Sequence, residues 1–144
     1  SLHINPVPDY FGQGLIDLIV FDTSQESDTI NFLINVEPIN DAPIANSLDI
    51  STLEDTPITI PFDGFDVEED ILTYSVIASP SSGSIEDGIY YPDLDFYGLD
   101  SLLYTANDGQ LDSEPETAYI NVEPINDAPI LSGIEAYLNS NNYV

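Results

Sequence analysis

The sequence contains no cysteine, no lysine, no arginine, no methionine and no tryptophan. Without cysteine, neither disulfide bonds nor thiolate metal sites are available. With a single histidine, His3, the sequence predicts no catalytic triad, no zinc site and no haem ligand. Carboxylates are so abundant that no glycosidase-like pair can be singled out among them. We therefore expect a protein that is not an enzyme.

The missing basic residues leave 27 Asp and Glu side chains without a counter-charge, for a formal net charge of −27. Acids that folding brings together must be protonated, hydrogen-bonded or bound to a metal ion, because no internal salt bridge with Lys or Arg can form. Phosphate recognition needs Lys or Arg, so nucleic acid and anionic lipid are excluded as direct partners of this segment. The alternative for most of these acids is that they face water and provide solubility, as in halophilic or marine proteins.

Long hydrophobic runs are also missing. The best apolar stretch, residues 15–21, is interrupted by Asp17 and is far shorter than the roughly 20 residues that span a bilayer. Disorder is nevertheless excluded, because 42% of the residues are hydrophobic and nine Tyr and six Phe are present. The composition therefore predicts a folded, acidic protein without a transmembrane segment.

An eleven-residue sequence occurs twice, at Ile34–Ile44 and again 86 residues later at Ile120–Ile130. The same offset places Asp9 on Asp95 without a gap. A fixed period of this length indicates a tandem array of similar modules. We interpret residues 1–42 as the C-terminal half of one repeat, 43–129 as a complete repeat and 130–144 as the start of a third. The chain is accordingly expected to be a segment of a longer protein.

Within each repeat, apolar and polar residues alternate with the period of two that is typical of half-buried strands. Turn signals such as Asp87-Gly88 and Asp108-Gly109 separate the candidate strands. About seven short strands per period predict an all-β fold, namely tandem immunoglobulin/cadherin-like Greek-key β-sandwich repeats. The candidate strands are residues 30–36, 48–53, 57–62, 71–77, 84–91, 102–106 and 117–122.

Five motifs in one order resemble the cadherin-like repeats of bacterial extracellular surface proteins, including RTX-type adhesins and VCBS-like Ig-fold repeats. The last of them, the linker ending in Asn-Asp-Ala-Pro, is the one repeated verbatim. The resemblance covers all of 43–129 and most of the flanks. The motifs are residues 53–57, 65–74, 91–101, 104–109 and 122–129.

This resemblance implies calcium at the junctions between modules. Calcium takes six to eight oxygen ligands, and Asp66 and Glu68 occupy the positions of the acidic loop that such modules use. Asp108, at the end of the Ala106-Asn107-Asp108 strand, is the expected partner of that loop. The alternatives are an acidic solvated turn for Asp66 and Glu68 and a plain Asp-Gly turn for Asp108.

The linkers and the body of each module supply the other expected ligands. Proline at 38 and 43, and again at 124 and 129, favours extended backbone, which would present the Asn and Asp oxygens and the Ile39 or Ile125 carbonyl to the junction. The Asp-aromatic-aromatic-Gly corners at 9–12 and 95–98 are open to two readings, calcium ligation or a structural turn that anchors aromatics in the core. In the third module Ser140 and Asn141 stand where the complete repeat has Glu54 and Asp55. That module is therefore expected to lack the ligand that corresponds to Glu54. The linker candidates are Asn40, Asp41, Asn126 and Asp127, and the body candidates are Asp9, Glu54, Asp95 and Asp100.

We therefore predict a calcium-binding spacer or stalk of a long cell-surface adhesin or filament, located outside the cell. Ca²⁺ is the expected cofactor, and neighbouring repeats of the same chain are the expected partners. Two alternatives stay open: a module that binds a carbohydrate or protein ligand, and a structural filament subunit that pairs with identical chains by strand complementation.

Overall fold

The computed structural model describes residues 3–128, and every regular element in that range is a β-strand. The sequence expectations for residues 130–144 lie outside the described residues. The strands are β1 (Gly12–Phe21), β2 (Ser27–Val36), β3 (Ile44–Ala45), β4 (Leu48–Leu53), β5 (Ile58–Thr59), β6 (Gly64–Phe65), β7 (Thr73–Ala78), β8 (Gly83–Glu86), β9 (Ile89–Pro92), β10 (Gly98–Asn107) and β11 (Glu116–Glu123).

Strands β4 to β11 form a β-sandwich, which confirms the predicted fold class. One sheet has the order β4-β11-β10-β7, with β4 parallel to β11 and the other pairs antiparallel. The second sheet has the order β5-β9-β8, and β3 pairs with β6 beside them. Alternate residues of β10 and β11 point into the core between the sheets, as a pleated strand requires. The fully buried large side chains there are Tyr90, Leu102, Tyr104, Ile120 and Val122.

Tyr104 joins the core to the start of the complete repeat. Its ring lies 4.8 Å from the ring of Phe62 and 6.0 Å from that of Tyr74, measured between centroids. Its hydroxyl donates hydrogen bonds to the backbone carbonyls of Asn46 and Asp63. Burial raises the pKa of Tyr104, so the hydroxyl remains a donor at neutral pH.

Strands β1 and β2 form a separate antiparallel hairpin ahead of the sandwich. Gly12 pairs with Val36 here, and Gly98 pairs with Val122 in the β10–β11 hairpin. The two hairpins therefore share one register after a shift of 86 residues.

Two predicted strands differ from those observed. The expected strand 84–91 is a hairpin of β8 and β9, because Asp87 (φ 49°) and Gly88 (φ 75°) both take the left-handed conformation of a tight two-residue turn. The expected strand 57–62 shortens to β5, since Pro57 and Pro61 flank it and cannot donate ladder hydrogen bonds.

Candidate functional site: the junctions between repeats

The first linker, residues 37–43, is tied by side chains to the complete repeat that follows it. Asn40 Nδ2 donates to Asp108 Oδ2 at 2.8 Å, and Asn40 Oδ1 accepts from Gln110 Nε2 at 2.7 Å. The backbone N–H of Asp41 donates to Glu68 Oε2 at 3.2 Å. Two predicted ligands of the following repeat, Asp108 and Glu68, thus meet the linker at this end of the sandwich.

Asp108 caps the turn after β10. Its Oδ1 accepts the backbone N–H groups of Gln110 at 2.6 Å and Leu111 at 2.7 Å. These bonds, from Leu111 and Gln110 first and then from the Asn40 side chain, hold the pKa of Asp108 below its usual value. Asp108 is therefore ionised at neutral pH, and its Oδ2 faces the linker.

Asp66 lies in the loop between β6 and β7, and its side chain is only 5% exposed. Its Oδ1 accepts the backbone N–H groups of Glu68 and Asp70, each at 3.0 Å, which closes the loop around the carboxylate. Its Oδ2 is buried and has no hydrogen-bond partner among the described residues. An unpaired buried carboxylate oxygen is costly, and protonation or a metal ion would lower that cost.

Acids from three segments line one open cavity of about 320 Å³ at the same junction. Asp9 comes from the turn before β1, Asp41 from the linker and Glu68 from the loop after β6, and Tyr10 and Phe11 line the cavity beside them. These residues are far apart in the sequence. Only the resemblance to cadherin-like repeats implied that they would lie close together. With no Lys or Arg in the chain, no basic side chain neutralises this group.

At the second junction, carboxylate oxygens of Asp55, Asp95 and Asp127 all lie within 4.8 Å of one another. The backbone N–H of Asp95 donates to Asp55 Oδ1 at 3.0 Å. Asp95 and Asp127 are the repeat equivalents of Asp9 and Asp41. Asn126 Nδ2 bonds the Asp127 carbonyl at 3.3 Å, as Asn40 Nδ2 bonds the Asp41 carbonyl at 3.2 Å. The two linkers therefore share one local conformation, and both deliver an Asp to an acidic group.

Comparison with known families decides what kind of module this is. Residues 40–122, more than half of the chain, match the family described as the bacterial Ig domain. The chain belongs to the bacterial Ig domain family. The predicted likeness to Ig-like repeats is thereby confirmed, whereas the finer assignment to RTX-type adhesins stays a prediction.

One protein of known sequence and two solved structures are similar to this chain. Integrin beta-like protein A of Dictyostelium discoideum is 30% identical over 138 residues, and the match covers 77% of this chain but only 7% of that protein. Human mucin-like protocadherin EC1-2 superposes with a TM-score of 0.55 at 18% identity, covering 87% of this chain and 74% of its own. An endo-fucoidan hydrolase of glycoside hydrolase family 107 reaches a TM-score of 0.46 at 16% identity, with 88% of this chain and 21% of that chain covered. Among the described residues of this bacterial Ig domain chain, no helix is long and apolar enough to cross a membrane.

Two predicted ligands are used inside the bacterial Ig domain itself. Glu54 is buried, and its Oε1 accepts the backbone N–H of Ile125, which fastens the second linker to the end of β4. Asp100 accepts five hydrogen bonds, from the Ser81 N–H and hydroxyl, the Ser82 and Ser101 N–H groups and the Tyr90 hydroxyl. Its oxygens thus accept protein donors, which gives Asp100 a structural role, and metal ligation by Asp100 stays a prediction.

Burial opposes the ionisation of Asp100, but the bonds from Ser81, Ser101, Ser82 and Tyr90 outweigh it and hold the pKa of Asp100 below its usual value. The equivalent position in the first repeat is Gly14. The Asp100 network is therefore a feature of the complete repeat and not of the repeating junction.

Asp55 is the junctional acid that sequence reasoning missed. It follows Glu54 directly and adopts a left-handed conformation (φ 57°), which swings its carboxylate toward Asp95. Asp95 has the same φ, and the next residue, Phe96, packs against the core. The Asp-aromatic-aromatic-Gly corner thus anchors an aromatic in the core and places Asp95 beside Asp55 and Asp127, whereas calcium ligation by Asp95 stays a prediction.

Proposed function

We propose that this chain is a non-enzymatic extracellular spacer in which calcium ions at the junctions fix the angle between successive Ig-like repeats. The observation that carries the proposal is the buried, unpartnered Oδ2 of Asp66, in the same loop as Glu68, whose side chain accepts the backbone N–H of Asp41 from the linker. A buried carboxylate oxygen in a chain without Lys or Arg has a metal ion as its natural counter-charge.

The residues at the first junction fit calcium by their chemistry. All of them offer carboxylate or amide oxygens, which are the ligands that calcium prefers, and none offers sulfur or imidazole. Extracellular modules bind calcium at about 10⁻⁴–10⁻³ M, so millimolar calcium outside a cell is enough to load such a site. The residues that would hold the ion are Asp66, Glu68, Asp108, Asn40, Asp41 and Asp9.

Removal of calcium would leave the acids of the first junction without a counter-charge. Asp9, Asp41 and Glu68 line one cavity, and their like charges repel one another. Asp9 belongs to the preceding repeat and Glu68 to the following one, so their repulsion opens the junction. The linker then hinges, limited by Pro38 and Pro43.

The second junction is proposed to work in the same way with the following repeat. Asp55, Asp95 and Asp127 form its contribution from the preceding side. In the first junction Asp9 and Asp41 are the equivalents of Asp95 and Asp127, and the loop of Asp66 and Glu68 adds acids from the following repeat. The contributions seen at the two junctions together describe one complete junction, with acids from the preceding repeat, the linker and the following repeat.

The extracellular location and the stalk role are supported by the family and the fold. Bacterial Ig domains and the protocadherin fold are those of extracellular-type modules. The partners we propose are the neighbouring repeats of the same chain. Calcium is the proposed cofactor.

The alternative of a carbohydrate- or protein-binding module would be favoured by exposed aromatics beside acids in one loop. Tyr97, near Asp95, is 63% exposed, but its repeat equivalent Phe11 is 42% exposed and lines the first-junction cavity. The exposure of Tyr97 is therefore explained by its place at a junction, and no separate observation favours a ligand site.

Calcium titration by isothermal calorimetry tests the proposal on the chain as it stands. We expect binding in the micromolar to millimolar range, about tenfold or more weaker in Asp66→Asn, which keeps the shape of the side chain and removes its charge. Glu69→Gln is the matched control, because Glu69 is an exposed acid of the same loop and should leave binding unchanged. Equal effects of the two substitutions would contradict the assignment of Asp66.

A further inference from the structure

The Asn40 side chain is hydrogen-bonded at both ends of its amide. Its Nδ2 donates to Asp108 Oδ2 at 2.8 Å and to the Asp41 carbonyl at 3.2 Å, and its Oδ1 accepts from Gln110 Nε2 at 2.7 Å. Asp108 and Gln110 both belong to the turn that follows β10 of the complete repeat. We refer to the hydrogen bonds among Asn40, Asp108 and Gln110 as the linker latch.

The latch fixes which end of the Asn40 amide meets Asp108. A deprotonated carboxylate only accepts hydrogen bonds, so the group that meets Asp108 is the NH2. The Asp41 carbonyl is a second acceptor at the same end, and the Gln110 NH2 is a donor at the opposite end. All three partners therefore agree on one orientation, in which Asn40 presents its NH2 to Asp108 and its oxygen to Gln110.

This orientation is unsuited to a cation shared by Asn40 and Asp108. Calcium takes oxygen ligands, whereas the Asn40 group beside Asp108 carries protons. Asp108 Oδ1 already accepts the backbone N–H groups of Gln110 and Leu111, at 2.6 Å and 2.7 Å. Asp108 Oδ2 is the atom that Asn40 holds. The latch thus occupies the Asp108 oxygen that its own turn does not use.

The bond between the linker and the loop after β6 has no such conflict. The backbone N–H of Asp41 donates to Glu68 Oε2 at 3.2 Å, so this contact uses the backbone of Asp41 and not its carboxylate. It can persist while the Asp41 carboxylate ligates an ion. The linker therefore has to release only the Asn40 side chain when the junction takes up a metal.

We propose that the linker latch opposes calcium binding at the first junction, and that Gln110 is the positioning residue that keeps it closed. Asn40 and Asp108 become ligands of one ion only after Asn40 Oδ1 leaves Gln110 and the amide turns over, which also releases Asp108 Oδ2. The inference rests on the calcium binding proposed above, to which it adds a metal-free state with hydrogen bonds of its own.

The stability of the latch sets the calcium concentration at which the junction loads. A ligand that binds one of two states binds more weakly overall by the fraction of molecules held in the other state. Gln110 is exposed and forms its bond to Asn40 between neutral groups. Loss of one such hydrogen bond corresponds to about a two- to tenfold change in an equilibrium constant. Weakening the latch should therefore tighten calcium binding by about that factor.

Gln110→Met tests the latch, because methionine keeps the length of the side chain and has no N–H to donate. In chelator, nitrogen-15 NMR should show the Asn40 side-chain NH2 signals moved away from their positions in the unmodified chain. Calcium titration by calorimetry should give a dissociation constant about two- to tenfold lower than in the unmodified chain. Gln13→Met replaces an exposed glutamine of β1 and is the matched control, which should change neither measurement.

A dissociation constant that is unchanged or higher in Gln110→Met would overturn the proposal, since the latch would then have no effect on calcium binding or would assist it. Asn40 side-chain signals that are identical in the two chains in chelator would overturn it as well. Calcium binding that is weakened in Asp66→Asn but unchanged in Gln110→Met would end this proposal alone. A chain that binds no calcium would end both this proposal and the junctional calcium site.

Discussion

Asn40 Nδ2 donates a 2.8 Å hydrogen bond to Asp108 Oδ2 across 68 residues of sequence. The bond joins the linker to the strand end of the following repeat. Asn40 uses its other polar atom on Gln110, so the side chain is held from both sides. The orientation of the linker is thereby coupled to the ionisation of Asp108, and through Asp41 and Glu68 to the cavity at the junction.

Lowering the pH should weaken the hydrogen bond between Asn40 and Asp108. Hydrogen bonds from Leu111, Gln110 and Asn40 lower the pKa of Asp108 in the folded protein. A depressed carboxylate pKa contributes stability that is fully present above the unfolded value of about 4 and is lost as the pH falls through the folded value. Carbon-13 NMR of the Asp108 carboxylate should give a midpoint below the value of about 4 for an unfolded aspartate, and the Asn40 side-chain amide should shift with the same midpoint. A midpoint of Asp108 at or above about 4 would contradict this account of the turn.

Calcium should raise the melting temperature of the chain by mass action on the folded state. Magnesium at equal concentration should do much less, because it demands a small octahedral site and keeps its own water. Differential scanning calorimetry in calcium, magnesium and sodium chloride of matched ionic strength separates these effects. Equal stabilisation in all three would mean charge screening and would remove the case for metal sites.

Asp127→Asn should have opposite effects with and without calcium. Without metal it removes one of three mutually repelling carboxylates, so the melting temperature should rise slightly, since the free energy of unfolding gains at most about 0.5 kcal/mol for an exposed group. With calcium, the stabilisation gained from the metal should be smaller than in the unmodified chain. The same thermal scans, run with calcium and with chelator, check both signs. A variant that is less stable than the unmodified chain in chelator would show that the three acids do not repel one another as proposed.

Asp100→Asn should destabilise the complete repeat by about 3 kcal/mol, because an amide cannot accept all five hydrogen bonds and leaves buried donors unpaired. The effect should be independent of calcium. Urea unfolding measures it, with Asp49→Asn on the exposed face of β4 as the control of equal charge change. A loss similar to that of the control would contradict the structural role, and a large loss of calcium affinity would support Asp100 as a metal ligand.

The pattern of alternation was enough to predict the sandwich and, at β4, the bounds of a strand, since an inward apolar residue at every second position is a local property. Alternation predicted a single strand over residues 84–91, but the left-handed conformations of Asp87 and Gly88 form a turn that separates β8 from β9. The resemblance brought the acids of the first junction together, but not the burial of Asp66, which arises only by tertiary contacts. The hydrogen bonds of Asp100 could not be predicted for the same reason, as Ser81 and Ser82 reach it from a loop 18 to 19 residues away.

The most direct test of the central claim is the distribution of angles at the first junction. The chain has no cysteine, so Ser24→Cys in the hairpin loop and Ser84→Cys in β8 place two spin labels without interference, one on each side of the linker. Pulsed electron paramagnetic resonance should give a broad distance distribution in chelator that narrows in millimolar calcium, and Asp66→Asn should stay broad in both. A distribution that is the same with and without calcium, or that narrows equally in Asp66→Asn, would contradict a calcium-fixed junction.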